Sequence, residues 1–335
     1  MALPPGGYQI VDRTSLSRIA LVSCMILAVS LPAFAAPYRQ ETQKHGIFGF
    51  GIGYMNGNTL YHISDYDATG GIESELEFPL NTFLLGLEGG YVSKNAKGQD
   101  AFRIGLQWFM GLGSGSGELK DSDWLTDSVD VSLVGAAHPG LDIYSESNID
   151  LTANIIDIRA SYNFWPSTNL ALGPLGGFLY QNFQFDASNL KQVGYGPYAP
   201  GYTGSVPGLV LTYEVTYTVP YFGIHSEILV SKTFQAALDI AYGPSASAED
   251  KDDHVLREKI SKAKTSGSAF LAAITAQWDI EDNDFFLIRG QYLKIDTTGK
   301  QTQTFYDGSG VVIIGINDKI TSTQVFATVL LNHRF

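Results

Sequence analysis

The last segment of the chain alternates apolar and polar residues. One set of alternate positions is largely apolar and ends in an aromatic residue: Val325, Ala327, Val329, Leu331, His333 and Phe335. The positions between them include four polar residues: Gln324, Thr328, Asn332 and Arg334. Because successive side chains of a strand point to opposite faces, this pattern predicts a strand with one face for lipid and one for water.

The same period of two recurs along most of the chain, and no convincing amphipathic helix follows residue 36. Runs of this kind are separated by alternately short and long polar breaks, and we count ten strands from about Gly46 to Phe335. The long breaks are predicted loops at about 120–140, 187–207 and 245–265. The short turns fall at about 93–98, 165–169, 231–233 and 281–284.

Ten strands with short turns at one end and long loops at the other predict an all-β, antiparallel transmembrane barrel. The terminal Phe335 resembles the assembly signal of bacterial outer-membrane barrels. Pro220 lies inside the sixth strand, where its missing N–H predicts a bulge or a strained pair. A soluble β-sandwich or lipocalin-like barrel is the alternative, but it would bury the tryptophan and phenylalanine faces inward and would not explain the terminal aromatic.

The N-terminus has the pattern of a secretory signal. Positive charge comes first, followed by an apolar run and by small residues suited to cleavage: Arg13, Arg18, Ile19–Leu31 and Ala33-Phe34-Ala35. We therefore expect residues 1–35 to be a cleaved signal peptide and residues 36–335 to form the barrel domain. The alternatives are a spanning helix, for which the run is short, and a lipoprotein cleavage box that ends at Cys24. Cys24 is the chain's single cysteine, so cleavage after Ala35 leaves no disulfide.

The formal net charge of the chain is −13. An acidic surface argues against nucleic acid as a partner, because phosphates call for basic groups. It favours cationic partners, or divalent ions that bridge to anionic lipid.

Two acidic clusters stand at the ends of the predicted third and seventh strands. Asp121 and Asp123 share one face of an extended segment, as do Asp252 and His254. Strands three and seven lie four apart in a ten-strand cylinder, so the clusters can face each other across the mouth.

A carboxylate beside an imidazole fixes the tautomer of the imidazole and raises its basicity, so that the imidazole can take a proton from water. Of two mutually repelling carboxylates, one can keep a proton and donate it to a developing oxyanion. On the bare residues, solvated loop charge is the alternative interpretation.

Several motifs together resemble the omptin family of outer-membrane proteases. The segment from Phe102 to Trp124 has an Ile-Gly strand that runs through Leu-Gly-Ser into Asp-x-Asp-Trp, as omptins do. His138-Pro139 resembles the omptin segment after that loop, and Val219-Pro220-Tyr221-Phe222-Gly223 resembles the omptin Met-Pro-Tyr-Ile-Gly. Asp252-x-His254, preceded by an acidic run, is similar to the omptin Asp-x-His.

This resemblance implies an aspartyl-type endopeptidase that needs no metal and no organic cofactor. By position, Asp252 and His254 would activate the water, and Asp121 and Asp123 would complete the site from the opposite wall. The expected substrate is a peptide or a surface protein, because omptins cut beside basic residues.

The residues that would read a basic side chain match the family only in part. Asp250 stands where one specificity acid belongs, but the other, on the first strand, is Tyr61. Glu118, Glu249 and Asp253 are further acids that could keep the mouth attractive to cations.

The chain also departs from the omptin pattern at a serine that supports the active site and at residues that bind lipopolysaccharide. The omptin serine two residues before His-Pro is Ala136, and the lipopolysaccharide-binding Tyr-x-Glu-x-Arg reads Tyr180-Gln181-Asn182-Phe183-Gln184. A basic position on the sixth strand is Thr216, whereas Lys264 keeps the last basic contact. The resemblance implies contact with outer-membrane lipid, and these changes predict an altered dependence on lipopolysaccharide.

We therefore expect a multi-pass barrel of the bacterial outer membrane whose active site faces the exterior. A catalytically silent barrel of the same ancestry, used for adhesion, is the first alternative, and Ala136 and Tyr61 favour it. A small porin and a lipid-modifying enzyme are more distant alternatives, since a ten-strand lumen is narrow and the candidate site lies on loops.

Overall fold

The computed structural model of the chain describes residues 43–67, 70–95, 98–113, 116–124, 140–167, 169–195 and 201–335. It contains β1 (Gln43–Asp67), β2 (Gly70–Pro79), β3 (Thr82–Lys94), β4 (Asp100–Gly111), β5 (Gly117–Trp124), β6 (Ile143–Tyr162), β7 (Trp165–Pro166), β8 (Leu170–Gly194), β9 (Thr203–Leu229), β10 (Phe234–His254), β11 (Lys259–Asp279), β12 (Asp284–Phe305) and β13 (Val312–Arg334). A 3-10 turn, Val255–Arg257, joins β10 to β11. None of the helices in these ranges has the length and the apolar character needed to span a membrane.

The strands close into a ring of ten antiparallel walls, which confirms the predicted fold class. Within the described ranges the ring runs β1, β3, β4, β6, β8, β9, β10, β11, β12 and β13, and β13 pairs back with β1. At its upper end β2 continues the wall of β3, and β5 continues the wall of β4. We therefore refer to β2 with β3 as the second wall, to β4 with β5 as the third, and to β10 as the seventh.

The ring is sealed where the two ends of the sheet meet. Gly46 and Phe335 exchange both backbone hydrogen bonds, at 2.9 and 3.1 Å. The ring of Phe335 lies so close to Gly46 that a Cβ atom there would come within 2.4 Å of it. Glycine at this position therefore lets the terminal aromatic pack against the first strand.

The outer surface carries an apolar belt over the lower part of the ring. Side chains on adjacent walls contribute to it, including Phe50, Leu85, Leu106, Phe178, Phe222, Ile240, Ile274, Ile288 and Val329. Inward-facing positions at the same level are polar, as the buried Gln107, Asp157 and Arg289 show. An apolar exterior around a polar interior is the arrangement of a membrane-spanning barrel.

The bounds of three predicted loops differ from the sequence prediction. The loop expected at 245–265 is mostly strand, because β10 continues to His254 and β11 resumes at Lys259. The loop expected at 187–207 is narrowed in the same way by β8 and β9. In both hairpins the inward and outward alternation continues beyond the apolar belt, but with small or polar residues. A prediction based on apolar residues therefore placed the strand ends too early. Of the loop expected at 120–140, residues 120–124 belong to β5, and residues 125–139 lie outside the described ranges.

The sequence predicts a bulge or a strained pair at Pro220 in the sixth strand, and the structure has a bulge on the neighbouring strand, β10. The pairing of β10 with β9 shifts by one residue between Tyr242 and Ser247, and its pairing with β11 shifts between Gly243 and Ala246. The carbonyl oxygen of Pro220 would lie 2.9 Å from a Cβ atom at Gly243. The extra residue thus sits beside the proline that cannot donate to the ladder.

Aromatic side chains fill the lumen above the belt. Phe78 stacks on Tyr213 with ring centroids 4.4 Å apart and lies 4.9 Å from Phe185. Tyr61 packs against Tyr213 at 5.2 Å, and Phe183 and Tyr217 complete the set. All six rings are buried. We call this set the aromatic plug; it separates the rim of the barrel from the polar lumen below.

Candidate active site

The acidic pair of the third wall lies on β5 and points into the barrel. Alternation along this strand directs Leu119, Asp121 and Asp123 inward, and Asp123 is only 2% exposed. Backbone pairing to β2 on one side and β6 on the other fixes both aspartates, since Asp121 lies between Leu76 and Ser145. The two carboxylates are therefore held on a paired strand rather than on a free loop tip.

The Asp-His pair of the seventh wall occupies the last residues of β10. Nε2 of His254 lies 2.9 Å from Oδ2 of Asp252, and Asp252 is 1% exposed. The pair shares one strand face because the residues are two apart. Since Nε2 faces the carboxylate, Nδ1 is the ring nitrogen left to accept a proton.

One side chain connects the two walls. Nη2 of Arg257, in the 3-10 turn after His254, donates to Oδ2 of Asp123 at 3.3 Å. The third and seventh walls are four apart in the ring, as the sequence predicts. The structure thus brings Asp121, Asp123, Asp252 and His254 to the two sides of one cleft.

Among the carboxyl groups of the cleft, Asp121 has a strongly raised pKa. Burial raises the pKa of Asp121 well above its usual range, and the charges of Asp123 and Asp252 raise that pKa further. Oδ1 of Asp121 is buried and has no hydrogen-bond partner among the described residues. Asp121 is therefore the carboxyl group suited to hold a proton and to donate it.

Sequence reasoning missed two basic residues of the cleft. Lys259 is the cross-strand partner of His254 and is 6% exposed, and burial lowers the pKa of its ammonium group. Arg257 bridges to Asp123, as described above. Both residues follow His254 within five positions, so recognition of the hairpin between β10 and β11 would have indicated them.

The candidate substrate-binding residues separate into an inner and an outer group. Asp250 points inward two residues before Asp252 and is 7% exposed. Tyr61 is fully buried and donates to Oε1 of Gln301 at 2.8 Å. Glu118 lies on the outer, exposed face of β5, so the structure does not bring it to the cleft.

The candidate lipid-binding residues lie on the outer surface above the belt. Tyr180 is on β8, and Lys264 is on β11, where it forms an ion pair with Glu249. Between them, Asn182 donates to Oγ1 of Thr216 at 2.9 Å. The two candidates are three strand spacings apart, or about 15 Å. Ala136 and His138 lie outside the described residues.

Taken together, the cleft has the groups needed to hydrolyse a carbonyl compound. His254 can take a proton from water, Asp252 can orient the imidazole, and Asp121 can donate a hydrogen bond to the oxyanion.

Comparisons with known proteins agree on one family. The model of the omptin family matches residues 47–335. The plasminogen activator of Yersinia pestis is 26% identical over 230 residues, which cover 67% of this chain and 70% of that protein. The crystal structure of the outer membrane protease OmpT from Escherichia coli matches with a TM-score of 0.72 and 16% identity, over 92% of this chain and 99% of that one. At that identity the structural match supports the fold alone.

Proposed function

The chain belongs to the omptin family, and on that premise we propose that it is an endopeptidase that cleaves cationic peptides or surface proteins. Its place as a β-barrel of the bacterial outer membrane follows from the family and the fold. The observation that carries the proposal is the Asp252–His254 pair, with 2.9 Å between Oδ2 and Nε2, across the cleft from Asp121 and Asp123.

The mechanism uses side chains of the chain itself. A water between the walls gives its proton to Nδ1 of His254 while its oxygen attacks the peptide carbonyl. Asp252 stabilises the imidazolium that forms, and the protonated Asp121 donates a hydrogen bond to the oxyanion. His254 then returns the proton to the leaving amine, which breaks the C–N bond and regenerates the base.

The direct test is cleavage of a defined peptide by the refolded barrel. We expect a peptide with a pair of basic residues to be cut, because the cleft is acidic. The same peptide with both basic residues replaced by glutamate should stay intact. Mass spectrometry of the products gives the cut site. If the refolded protein leaves the basic peptide intact with and without added lipopolysaccharide, the catalytically silent barrel becomes the better explanation.

We further expect this activity not to require lipopolysaccharide. Phosphate groups of a lipid are bound by clusters of Arg and Lys. Between Tyr180 and Lys264, the outward-facing Asn182 and Thr216 carry no charge, and Lys264 is already paired with Glu249. Addition of lipopolysaccharide to protein refolded without it, or the change Lys264→Ala, should alter kcat/KM by less than about fivefold, because an exposed ion pair contributes little. A larger activation by lipid would show that another surface binds it.

A further inference from the structure

Two buried carboxyl groups lie in the lumen wall below the Asp-His pair. Asp250 is 7% exposed and Asp318, on β13, is 2% exposed. Both oxygens of Asp318 lack a hydrogen-bond partner within the described part of the chain. Both oxygens of Asp250 also lack one of standard geometry, although the backbone amides of Ala263 and of Asp250 itself approach that carboxylate. A buried carboxylate without donors is costly, so these two groups need either protons or a cation.

The two aspartates face the same space. Asp250 is two residues before Asp252 on the inner face of β10, which is about 7 Å along the strand. Asp318 pairs with Ile63 on β1, two residues from Tyr61 on the same inner face. Burial raises the pKa of Asp250 to about 9, and the charge of Asp318 is the next largest cause. The two carboxyl groups therefore act on each other electrostatically across this space.

The surrounding side chains suit a cationic group on a flexible stem. Tyr61 and Tyr213 pack with centroids 5.2 Å apart and offer aromatic surface beside the acids. Nε2 of Gln301 also lacks a partner among the described residues. Oγ of Ser261 has none of standard geometry, although it approaches the hydroxyl group of Tyr61. Aromatic faces beside carboxylates are the surroundings that favour an organic cation.

We propose that Asp250 and Asp318 form the subsite for a cationic side chain of the substrate, arginine in particular, and that Asp318 supplies from β13 the charge that Tyr61 does not supply from β1. This inference rests on the proposed peptidase function. A guanidinium brings five N–H donors, which match the unpartnered carboxylate oxygens. The subsite lies one step along β10 from the catalytic pair, so a side chain held there would place its own backbone between the walls.

The subsite has a pH dependence with a defined sign. Burial and, after it, the charge of Asp252 raise the pKa of Asp318 to about 7. The other ionisable groups that act on the two acids or share the lumen with them are Asp252, Tyr61, Tyr213 and Tyr217. Below both raised pKa values the acids are neutral and attract no cation. As pH rises from about 6 to about 9 they ionise, so the affinity for a cationic side chain should increase.

The test compares an arginine peptide with its uncharged citrulline analogue. In Asp318→Asn the ratio of the two kcat/KM values should fall by at least about tenfold, because a buried ion pair loses one partner. Asp296→Asn is the matched control, since Asp296 is a half-exposed aspartate of β12 that pairs with Lys319. It should keep the ratio of the unchanged protein. An unaltered ratio in Asp318→Asn would overturn the subsite.

A binding measurement separates this inference from the peptidase proposal. Fluorescence anisotropy can follow the labelled arginine peptide on His254→Ala protein, which is expected to bind without cleaving. Adding Asp318→Asn to that protein should weaken binding at least about tenfold, whereas Asp296→Asn should not. If Asp318→Asn weakens binding but the unchanged protein cleaves nothing, the peptidase proposal is wrong and the subsite is supported. If the protein with both His254→Ala and Asp318→Asn binds the peptide as tightly as His254→Ala alone, the subsite proposal is wrong, and the peptidase proposal is unaffected.

Discussion

Replacement of His254 by alanine is expected to lower kcat/KM for peptide hydrolysis by about 10²- to 10⁴-fold, the range that a positioned general base contributes. The imidazole is the group that Asp252 holds at 2.9 Å, and no other histidine of the described residues lies at the cleft. Because the loss is in proton transfer, we expect it in kcat, with a smaller change in KM. Steady-state kinetics on one fluorogenic basic peptide would measure both.

His62→Ala is the matched control for that change. His62 lies on the outer face of β1, and its Nε2 is 2.7 Å from Oε1 of Glu73. It is another histidine paired with a carboxylate, yet it belongs to no cleft. Both variants should show the heat-dependent gel mobility of a folded barrel. Equal activity of the His254→Ala variant and the unchanged protein would exclude His254 as the base.

The second large effect is expected at Asp121. Truncation to alanine removes the donor to the oxyanion and should lower kcat by about 10²- to 10³-fold. Burial and the charges of Asp123 and Asp252 raise the pKa of Asp121, so this carboxyl group holds its proton to higher pH than an ordinary aspartate does. The kcat of the unchanged protein should therefore fall on the alkaline side of its profile.

Asp121→Asn distinguishes this role from a structural one. An asparagine amide also donates but cannot ionise, so the alkaline fall in kcat should disappear while kcat itself is reduced less than in Asp121→Ala. Asp186→Asn, a change on the exposed face of β8, should keep both the rate and the alkaline fall. An unchanged alkaline limb in Asp121→Asn would assign that limb to another group.

Much of the fold follows from alternation, which each strand shows on its own. The sequence pattern predicts the ten walls, the bulge near Pro220 and the opposed Asp121 and His254 clusters, because each depends on local periodicity and on a count of strands. Strand length above the belt was underestimated for a physical reason. At that level β10 buries two small residues and two acids in place of large apolar ones: Ala246, Ala248, Asp250 and Asp252.

The contacts across the barrel could not be predicted in the same way. Asp318 faces the lumen near Asp252 only because β13 pairs with β1 in one register, and the pairing of β12 with β13 shifts between Gln301 and Thr302. Arg257 bridges to Asp123 through a 3-10 turn whose conformation no periodicity indicates. Both contacts depend on long-range register, which a single sequence does not determine.

The aromatic plug has a consequence for the fate of the fragments. Tyr61, Phe78 and Tyr213 stack side by side across the lumen beside the proposed catalytic groups. Under the proposed peptidase function, the fragments of a cut chain could therefore not pass through the cylinder toward the periplasm. Each fragment has to depart by the opening through which the intact chain arrived. A barrel with the proposed activity would work at the cell boundary without making it permeable.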